Sequence, residues 1–302
     1  MVIKHIVISG GGPTGLLSYG VAKHLAQHGF WSHDNIETIY GTSIGALIGA
    51  VLCLKHDWTT LDDYIIKRPW EKVVVNSLEL FELFSCKGMA KTKLLDDMMQ
   101  PLLESKDLTL GITMREFYEY SRISLNMFTV DLNTFKPVQL SHTTHPELPL
   151  MDAIKMSSCM PMMFQPIIRD GCCYIDGGIM VNYPLTECLE DTQCQAEEVL
   201  GMRNVWNNPN EGIEDNSSLV DYLRFINLQL VRWVNLRIFN TTPPGVNEVV
   251  CHVKPNISPA EWLSIMSDAS QRLAWIEDGI TFAKAFMESN AKPTDTEERK
   301  SQ

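Results

Sequence analysis

Residues 36–55 read IETIYGTSIGALIGAVLCLK, an apolar strand-like run, a glycine-flanked turn and an apolar helix-like run. The turn, Gly41-Thr42-Ser43-Ile44-Gly45, fits the pattern Gly-x-Ser-x-Gly, in which a strand turns sharply into a helix with the serine at the apex. Glycines flank that serine because a Cβ there would collide with the neighbouring strand or helix. The stretch predicts that Ser43 is a nucleophile; a serine that only caps the helix is the alternative.

The preceding residues form a second unit of the same kind. A short apolar strand is predicted from Lys4 to Ser9, and it leads directly into Gly10-Gly11-Gly12-Pro13-Thr14-Gly15. A helical stretch follows from Leu16 to about His28. Two successive strand–turn–helix units predict an α/β fold with a mainly parallel sheet covered by helices.

The first glycine cluster has two physical interpretations. Gly10, Gly12 and Gly15 satisfy the dinucleotide fingerprint G-x-G-x-x-G, but the second predicted strand ends without the carboxylate that would hold a ribose. The other interpretation is an oxyanion hole, in which bare backbone N–H groups face a developing alkoxide and each donor lowers the barrier by about 3 kcal/mol. Gly11 and Gly12 are the predicted donors, since Pro13 has no N–H.

A serine hydroxyl needs a base within hydrogen-bond reach before it can act as a nucleophile. His252 would be that base in the chain order of an α/β-hydrolase, although that fold usually has several strands ahead of its nucleophile. Asp176 ends an apolar strand and is followed by Gly177 and Gly178, which allow close approach. A carboxylate whose pKa is raised by desolvation can accept the proton directly. We predict Asp176 as the base; a plain turn at Asp-Gly-Gly is the alternative.

Composition restricts the class of protein. The chain has 302 residues, of which 45% are hydrophobic, and its formal net charge of −12 argues against binding to nucleic acid. Eight cysteines lie scattered without zinc-type spacing, which predicts reduced thiols and no metal site. The N-terminal apolar run is too short for a secretion signal, and no segment approaches the ~20 apolar residues of a membrane span. These features predict a soluble cytoplasmic protein with at most peripheral membrane contact.

The rest of the chain predicts one domain. Two further strand pairs are expected, at residues 123–130 with 137–140 and at 166–169 with 172–175. Apolar residues surround the predicted helix 222–239, which favours a buried or lid-like helix over one that contacts lipid. A single catalytic domain is predicted over residues 1–288, with a helical C-terminal region over 191–288 and a disordered charged tail over 289–302.

The three motifs, in this order, resemble those of the patatin-like phospholipase family. That family has a glycine-rich oxyanion loop, Gly-x-Ser-x-Gly and Asp-Gly-Gly or Asp-Gly-Ala. The intervening segments are also similar, and the resemblance spans about residues 3–190; it includes Phe128–Leu132 with Pro137-Val138, Asp152–Pro161 with Phe164 and Pro166, and Asn182-Tyr183-Pro184. It implies a three-layer α/β sandwich with a mainly parallel central sheet.

The resemblance also implies a reaction, the hydrolysis of lipid or phospholipid esters through an acyl-enzyme on Ser43, with Asp176 as its only base and without a metal or cofactor. It assigns the oxyanion hole to Gly10, Gly11, Gly12 and Gly15, and supporting positions to Gly41, Gly45, Gly177 and Gly178. One departure affects the predicted head-group preference, because Thr14 stands where the family commonly has Arg or Lys. A catalytically silent lipid-binding or interaction module is the alternative function.

Overall fold

The computed structural model describes residues 2–75, 88–90, 92–206, 212–238, 242–253 and 259–291. The elements follow in chain order: β1 (His5–Ile8), α1 (Gly15–Gln27), β2 (Thr38–Thr42), α2 (Ile44–Cys53), α3 (Trp58–Asp62), α4 (Trp70–Val75), β3 (Gly88–Ala90), α5 (Lys93–Glu104), α6 (Met114–Ser121), β4 (Ser124–Asp131), β5 (Lys136–Leu140), α7 (Leu150–Ser158), β6 (Met162–Phe164), β7 (Ile167–Arg169), β8 (Cys172–Asp176), α8 (Leu185–Thr192), β9 (Val199–Trp206), α9 (Leu219–Ile238), β10 (Asn247–Val253), α10 (Pro259–Ser267) and α11 (Ala269–Ala291).

The described strands form an eight-stranded sheet in the order β10-β9-β1-β2-β4-β8-β7, with β5 paired to β4. Strands β10, β9, β1, β2 and β4 are parallel, whereas β5, β8 and β7 are antiparallel to their neighbours. Both predicted strand pairs are present as the β4–β5 and β7–β8 ladders. A separate two-stranded ladder joins β3 and β6.

Helices cover both faces of this sheet. Alternate residues of a strand point to opposite faces, and in β1 the buried side chains of Ile6 and Ile8 belong to the large core packed against α1 and α2. Val7, between them, belongs to a smaller cluster that includes Leu185 and Cys188 of α8. The sheet therefore lies between two helical layers, which confirms the predicted three-layer α/β sandwich.

Strand β4 aligns the ends of two other strands. β2 ends at Thr42, which is paired with Phe128 of β4. The next β4 residue, Thr129, is paired with Asp176 at the end of β8. β8 thus continues the sheet position that β2 leaves, which brings Asp176 next to the end of β2. Ser43 and Asp176 are 133 positions apart in the sequence.

The C-terminal region differs from its prediction at two places. Helix α9 has an exposed apolar side, on which Leu219 and Leu230 are 68% and 59% exposed, whereas its sequence favoured burial. Helix α11 continues through Ala291, beyond the predicted start of the tail at residue 289, and residues 292–302 lie outside the described residues. In the parts of the chain described above, no helix combines the length and apolarity that crossing a bilayer requires.

Candidate active site

Ser43 lies at a sharp turn between β2 and α2. Its φ of 57° with ψ of −122° is a conformation that residues with a side chain rarely adopt. The flanking glycines are required by close backbone contacts. A Cβ on Gly41 would overlap the carbonyl of Gly45, and a Cβ on Gly45 would overlap the carbonyl of Ile8. The serine is therefore held at the apex of a strand–turn–helix elbow.

Asp176 is in direct contact with that serine. The Ser43 hydroxyl donates a hydrogen bond of 2.5 Å to Asp176 Oδ2, and the Gly178 amide donates one of 2.7 Å to Oδ1. The carboxylate is fully buried. Close approach depends on Gly177, because a Cβ there would overlap the Phe128 carbonyl on β4. Both carboxylate oxygens are thus occupied and oriented.

Burial changes the acidity of this carboxyl. It raises the pKa of Asp176 to about 6, against the opposing effect of the hydrogen bonds from Ser43 and Gly178. At neutral pH the group is therefore ionised and is a stronger base than an ordinary aspartate. That pKa suits a group that must take a proton from a serine and return it to a leaving alcohol.

Ser157 on α7 holds the backbone of Ser43 in place. The Ser43 amide donates to Ser157 Oγ at 3.0 Å, and that hydroxyl donates to the Phe128 carbonyl at 2.6 Å. Sequence reasoning had not given Ser157 a role. Its only signal was its place in the family-like segment 152–161.

In the glycine loop, residues 10–15, two backbone amides are available to bind a ligand oxygen. The Gly10 amide donates to the Asn182 carbonyl at 2.9 Å, and the Gly15 amide donates to the Gly12 carbonyl. Gly11 and Gly12 have positive φ values of 152° and 60°, and their amides have no acceptor within the described parts of the chain. Of the four glycines predicted for the oxyanion hole, these two have amides free to bind an oxyanion.

Thr14 anchors this loop without a charge. Its fully buried hydroxyl donates to the Gly11 carbonyl at 3.1 Å and accepts from Asn204 Nδ2 at 2.8 Å. Asn204 is on β9, and its backbone amide donates to the Ser9 hydroxyl at 2.9 Å. Neutral hydrogen bonds to β9 therefore fix the loop at the position where the family commonly has a basic residue.

A cavity of about 130 Å³ lies beside the nucleophile and is almost entirely apolar. Its lining includes Ser43, Leu47, Ile48 and Val51 along α2 together with side chains from α5, α7, α10 and α11, among them Leu94, Leu95, Met98, Met99, Leu102, Ser158, Trp262, Met266 and Arg272. An extended hydrocarbon chain suits such a lining because its burial removes apolar surface from water. Sequence reasoning recognised little beyond residue 190, yet α10 and α11 complete this cavity.

Arg272 holds the C-terminal wall of the cavity together. The residue is 3% exposed, and its guanidinium donates to the carbonyls of Ile65, Ile66, Arg68 and Met266, at distances of 2.5 to 3.2 Å. These bonds join α10 and α11 to the turn that follows α3. Burial lowers the pKa of the guanidinium below its usual value.

His252 is not near the nucleophile. It is exposed on β10, and β9 and β1 lie between β10 and β2. Among the described residues, Ser43 Oγ has a hydrogen bond to Asp176 and to no histidine. The arrangement therefore lacks the serine–histidine pair of the alternative mechanism.

One group of residues elsewhere has the composition of a metal site. One ligand atom each of His5, Cys194 and Glu198 lies within 4.8 Å of the others. The Lys4 ammonium, however, is 2.8 Å from Glu198 Oε1 and already supplies a positive charge to that carboxylate. We therefore assign no metal to this group, which lies at the start of β1, away from Ser43.

Two viral proteins are similar to this chain over the part that carries the site. An uncharacterized protein of Acanthamoeba polyphaga mimivirus is 25% identical over 187 residues, which are 61% of this chain and 61% of that protein. A probable lipid hydrolase of Invertebrate iridescent virus 6 is 23% identical over 187 residues, 60% of this chain and 62% of that protein. The chain thus spans about three-fifths of the length of each relative.

The fold of this chain is similar to that of a solved structure, and its sequence matches the model of a protein family. VipD from Legionella pneumophila has a TM-score of 0.57 and 15% identity, over 96% of this chain and 67% of that one. The sequence model described as patatin-like phospholipase matches residues 6–189, more than half of the chain. With both viral relatives matching over a similar length, the chain belongs to the patatin-like phospholipase family.

Proposed function

We propose that this protein is a serine lipid acyl hydrolase, of phospholipase A type, that cleaves carboxylic esters through Ser43 and Asp176. The observation that carries the proposal is the 2.5 Å hydrogen bond between the serine hydroxyl and the buried carboxylate, beside an apolar cavity. A nucleophile, a base with a raised pKa and a hydrocarbon-compatible cavity are the parts that hydrolysis of a lipid ester requires.

The reaction proceeds in two balanced steps. Ser43 Oγ attacks the acyl carbon while Asp176 takes its proton, and the amides of Gly11 and Gly12 hold the oxygen that becomes negative. Collapse of this intermediate breaks the ester bond, and Asp176 returns the proton to the leaving alcohol. In the second step Asp176 takes a proton from water as the water oxygen attacks the acyl carbon, the bond between that carbon and Ser43 Oγ breaks, and Asp176 returns the proton to Oγ as the fatty acid leaves.

The proposed substrate approach uses helix α9. Leu219, Tyr222, Leu223, Ile226 and Leu230 are all exposed, and their spacing places them along one side of the helix. The helix packs against the turn Gly177–Ile179, which directly follows the base. An apolar side at this place suits peripheral contact of a cytoplasmic protein with a lipid surface, and the net charge of −12 favours a zwitterionic surface over an anionic one.

Labelling with a serine-directed fluorophosphonate tests the proposal. The reagent phosphonylates activated serines, so a single adduct on Ser43 is expected in the wild-type chain and none in Ser43→Ala. Turnover of nitrophenyl esters should disappear in the same variant. A correctly folded wild-type chain with neither adduct nor turnover would contradict the proposal and favour the silent lipid-binding module.

Phospholipase activity is tested by substrate choice. A panel of glycerophospholipids, lysophospholipids and neutral glycerides, presented at equal surface concentration, should show release of fatty acid from the phospholipids. Activity confined to neutral glycerides would restrict the proposal to ester hydrolysis. Because Thr14 supplies no cation near the loop, we expect head groups of different charge to differ through binding of the protein to the lipid surface and only slightly in the rate of cleavage once bound.

A further inference from the structure

Ser158, the last residue of α7, has a buried hydroxyl without a partner. The residue is 6% exposed, and within the described residues its Oγ takes part in no hydrogen bond. A hydroxyl that gives up its bonds to water and gains none on folding costs free energy. Such groups are uncommon in folded proteins.

Ser158 is one of the residues that line the cavity beside Ser43. Ser158 and Ser43 are both among its lining residues, and the rest of the lining is almost entirely apolar. The two consecutive serines of α7 differ in what they contact. Ser157 is bonded to the Ser43 amide and to a β4 carbonyl, whereas the hydroxyl of Ser158, in the cavity wall, is unpaired among the described residues.

We propose that Ser158 is a substrate-binding residue whose hydroxyl donates a hydrogen bond to an oxygen of the ester held against Ser43. The inference rests on the proposed hydrolase activity and goes beyond it by assigning a polar subsite within the acyl cavity. The substrate class is a long-chain carboxylic ester, because only its ester group carries oxygen into an otherwise hydrocarbon-lined space.

The polar subsite would set how deeply the acyl chain enters. A methylene placed against this hydroxyl leaves the donor unpaired, whereas an ester oxygen pairs it. Of the positions a chain could adopt in the cavity, the one with the ester beside residues 43 and 158 is therefore favoured. This selects the position in which the acyl carbon faces the nucleophile.

The variant Ser158→Ala separates binding from packing. Removing an unpaired buried hydroxyl takes away its desolvation cost, so the thermal midpoint should stay the same or rise. The value of kcat/KM for a long-chain ester should fall about tenfold, the loss expected when a hydrogen bond to the substrate is removed. Ser158→Cys has a side chain of similar volume and a weaker donor, so its kcat/KM should lie between the values of the wild type and Ser158→Ala.

Ser18→Ala is the matched control. Ser18 is on α1, is fully buried, and its hydroxyl also lacks a hydrogen bond among the described residues. It is absent from the cavity lining. This variant should also keep or raise the thermal midpoint, but its kcat/KM should stay within about twofold of the wild-type value.

The outcomes are distinct. Loss of activity in Ser158→Ala alone, without loss of stability, supports the polar subsite. Wild-type activity in Ser158→Ala overturns it and indicates that a fixed water satisfies the hydroxyl. Equal losses in both variants also overturn it, since they indicate a packing effect. If the wild-type chain shows neither turnover nor a fluorophosphonate adduct on Ser43, the hydrolase proposal itself fails.

Discussion

Thr129 of β4 is paired with Asp176 of β8, one residue after Phe128 is paired with Thr42 of β2. The Thr129 hydroxyl reinforces this pairing with a 2.8 Å hydrogen bond to the Ile175 carbonyl. One strand therefore positions both Thr42, the residue before Ser43, and Asp176. Because both residues pair with the same edge of β4, their separation is set by one step along that strand, about 3.3 Å, and does not depend on the many residues between them.

Asp176→Asn should abolish turnover without unfolding the protein. Asparagine has nearly the same shape and can still accept from the Gly178 amide, but it cannot take the serine proton. We expect kcat/KM for a nitrophenyl ester to fall by about 10⁴, as when other serine hydrolases lose their proton acceptor or the residue that orients it. Wild-type turnover in this variant would exclude Asp176 as the base.

The activity should depend on pH through the same carboxyl. Asp176 must be ionised to act as a base, and its pKa is raised to about 6. The value of kcat/KM should therefore be constant above neutral pH and fall as the pH decreases through about 6. A pH-stat assay with a short-chain ester measures this profile. A midpoint near 4, the value of an unperturbed aspartate, would show that burial does not act on the catalytic base.

The raised pKa also affects stability, in the opposite direction to activity. The folded state binds the Asp176 proton more tightly than the unfolded chain does. This group therefore favours folding at pH values below its pKa in the unfolded chain, and that stabilisation is lost as the pH rises through about 6. Asp176→Asn should remove this loss. Its thermal midpoint at neutral pH should equal or exceed that of the wild type, and a lower midpoint would indicate that asparagine disturbs the site.

Ser157→Ala should slow catalysis more than it weakens binding. The variant leaves the Ser43 amide and the Phe128 carbonyl without their partner, at a cost in unfolding free energy of about 1–3 kcal/mol. Because the backbone of Ser43 then loses the hydrogen bond that holds it, kcat should fall about tenfold while KM changes little. Denaturant unfolding and steady-state kinetics measure both effects. Loss of stability with unchanged kcat would make Ser157 a purely structural residue.

The cavity should limit the length of the acyl chain. Its lining follows α2 from Ser43 to Val51, eight residues and about 12 Å along the helix axis. Val51→Phe should block the far end and lower kcat/KM for long-chain esters at least tenfold, with little effect on short ones. Val51→Ala, which enlarges the same end, is the control. Equal loss with short and long esters would show that the chain takes another path.

Helix α9 should contribute to binding at a lipid surface. The double variant Leu219→Ser, Leu230→Ser removes two of its most exposed apolar side chains, each able to contribute about 1.5–3 kcal/mol on full burial. Co-sedimentation with phosphatidylcholine vesicles should weaken at least tenfold, while hydrolysis of a soluble ester stays unchanged. Phe135→Ser, an exposed apolar residue on the β4–β5 turn, is the control. Equal binding by both variants would contradict a role for α9.

The parts of the site that sequence reasoning found are those with a local steric signature. The elbow at Ser43 and the turn after Asp176 both need glycines because backbone passes within contact distance, and that need is visible in a few adjacent letters. The β4–β5 and β7–β8 pairs were likewise predicted from short runs and turns. The pairing of β8 with β4 had no such signal, because it depends on where β2 ends.

Other parts of the site act through groups that every residue has. Ser157 and Arg272 bind backbone carbonyls, and because every residue has one, the residue types do not indicate which carbonyl is bound. The Arg272 guanidinium, for example, bonds to Ile65, which is 207 positions away in the sequence. The apolar residues of α9 surround the helix, so their pattern predicted burial. One side is exposed in the folded chain, which a periodicity cannot indicate without knowledge of the neighbouring elements.

Arg272, whose hydrogen bonds hold one wall of the cavity together, lies outside the part of the chain that matches the family. The family match covers residues 6–189 and includes Ser43 and Asp176, whereas Arg272 and the helices it joins lie after it and form one wall of the apolar cavity. Ser43 and Asp176 thus lie within the matched stretch, whereas the walls of the cavity come from both stretches. Divergence confined to the second stretch can change which chains fit while the inherited chemistry of the first stays intact.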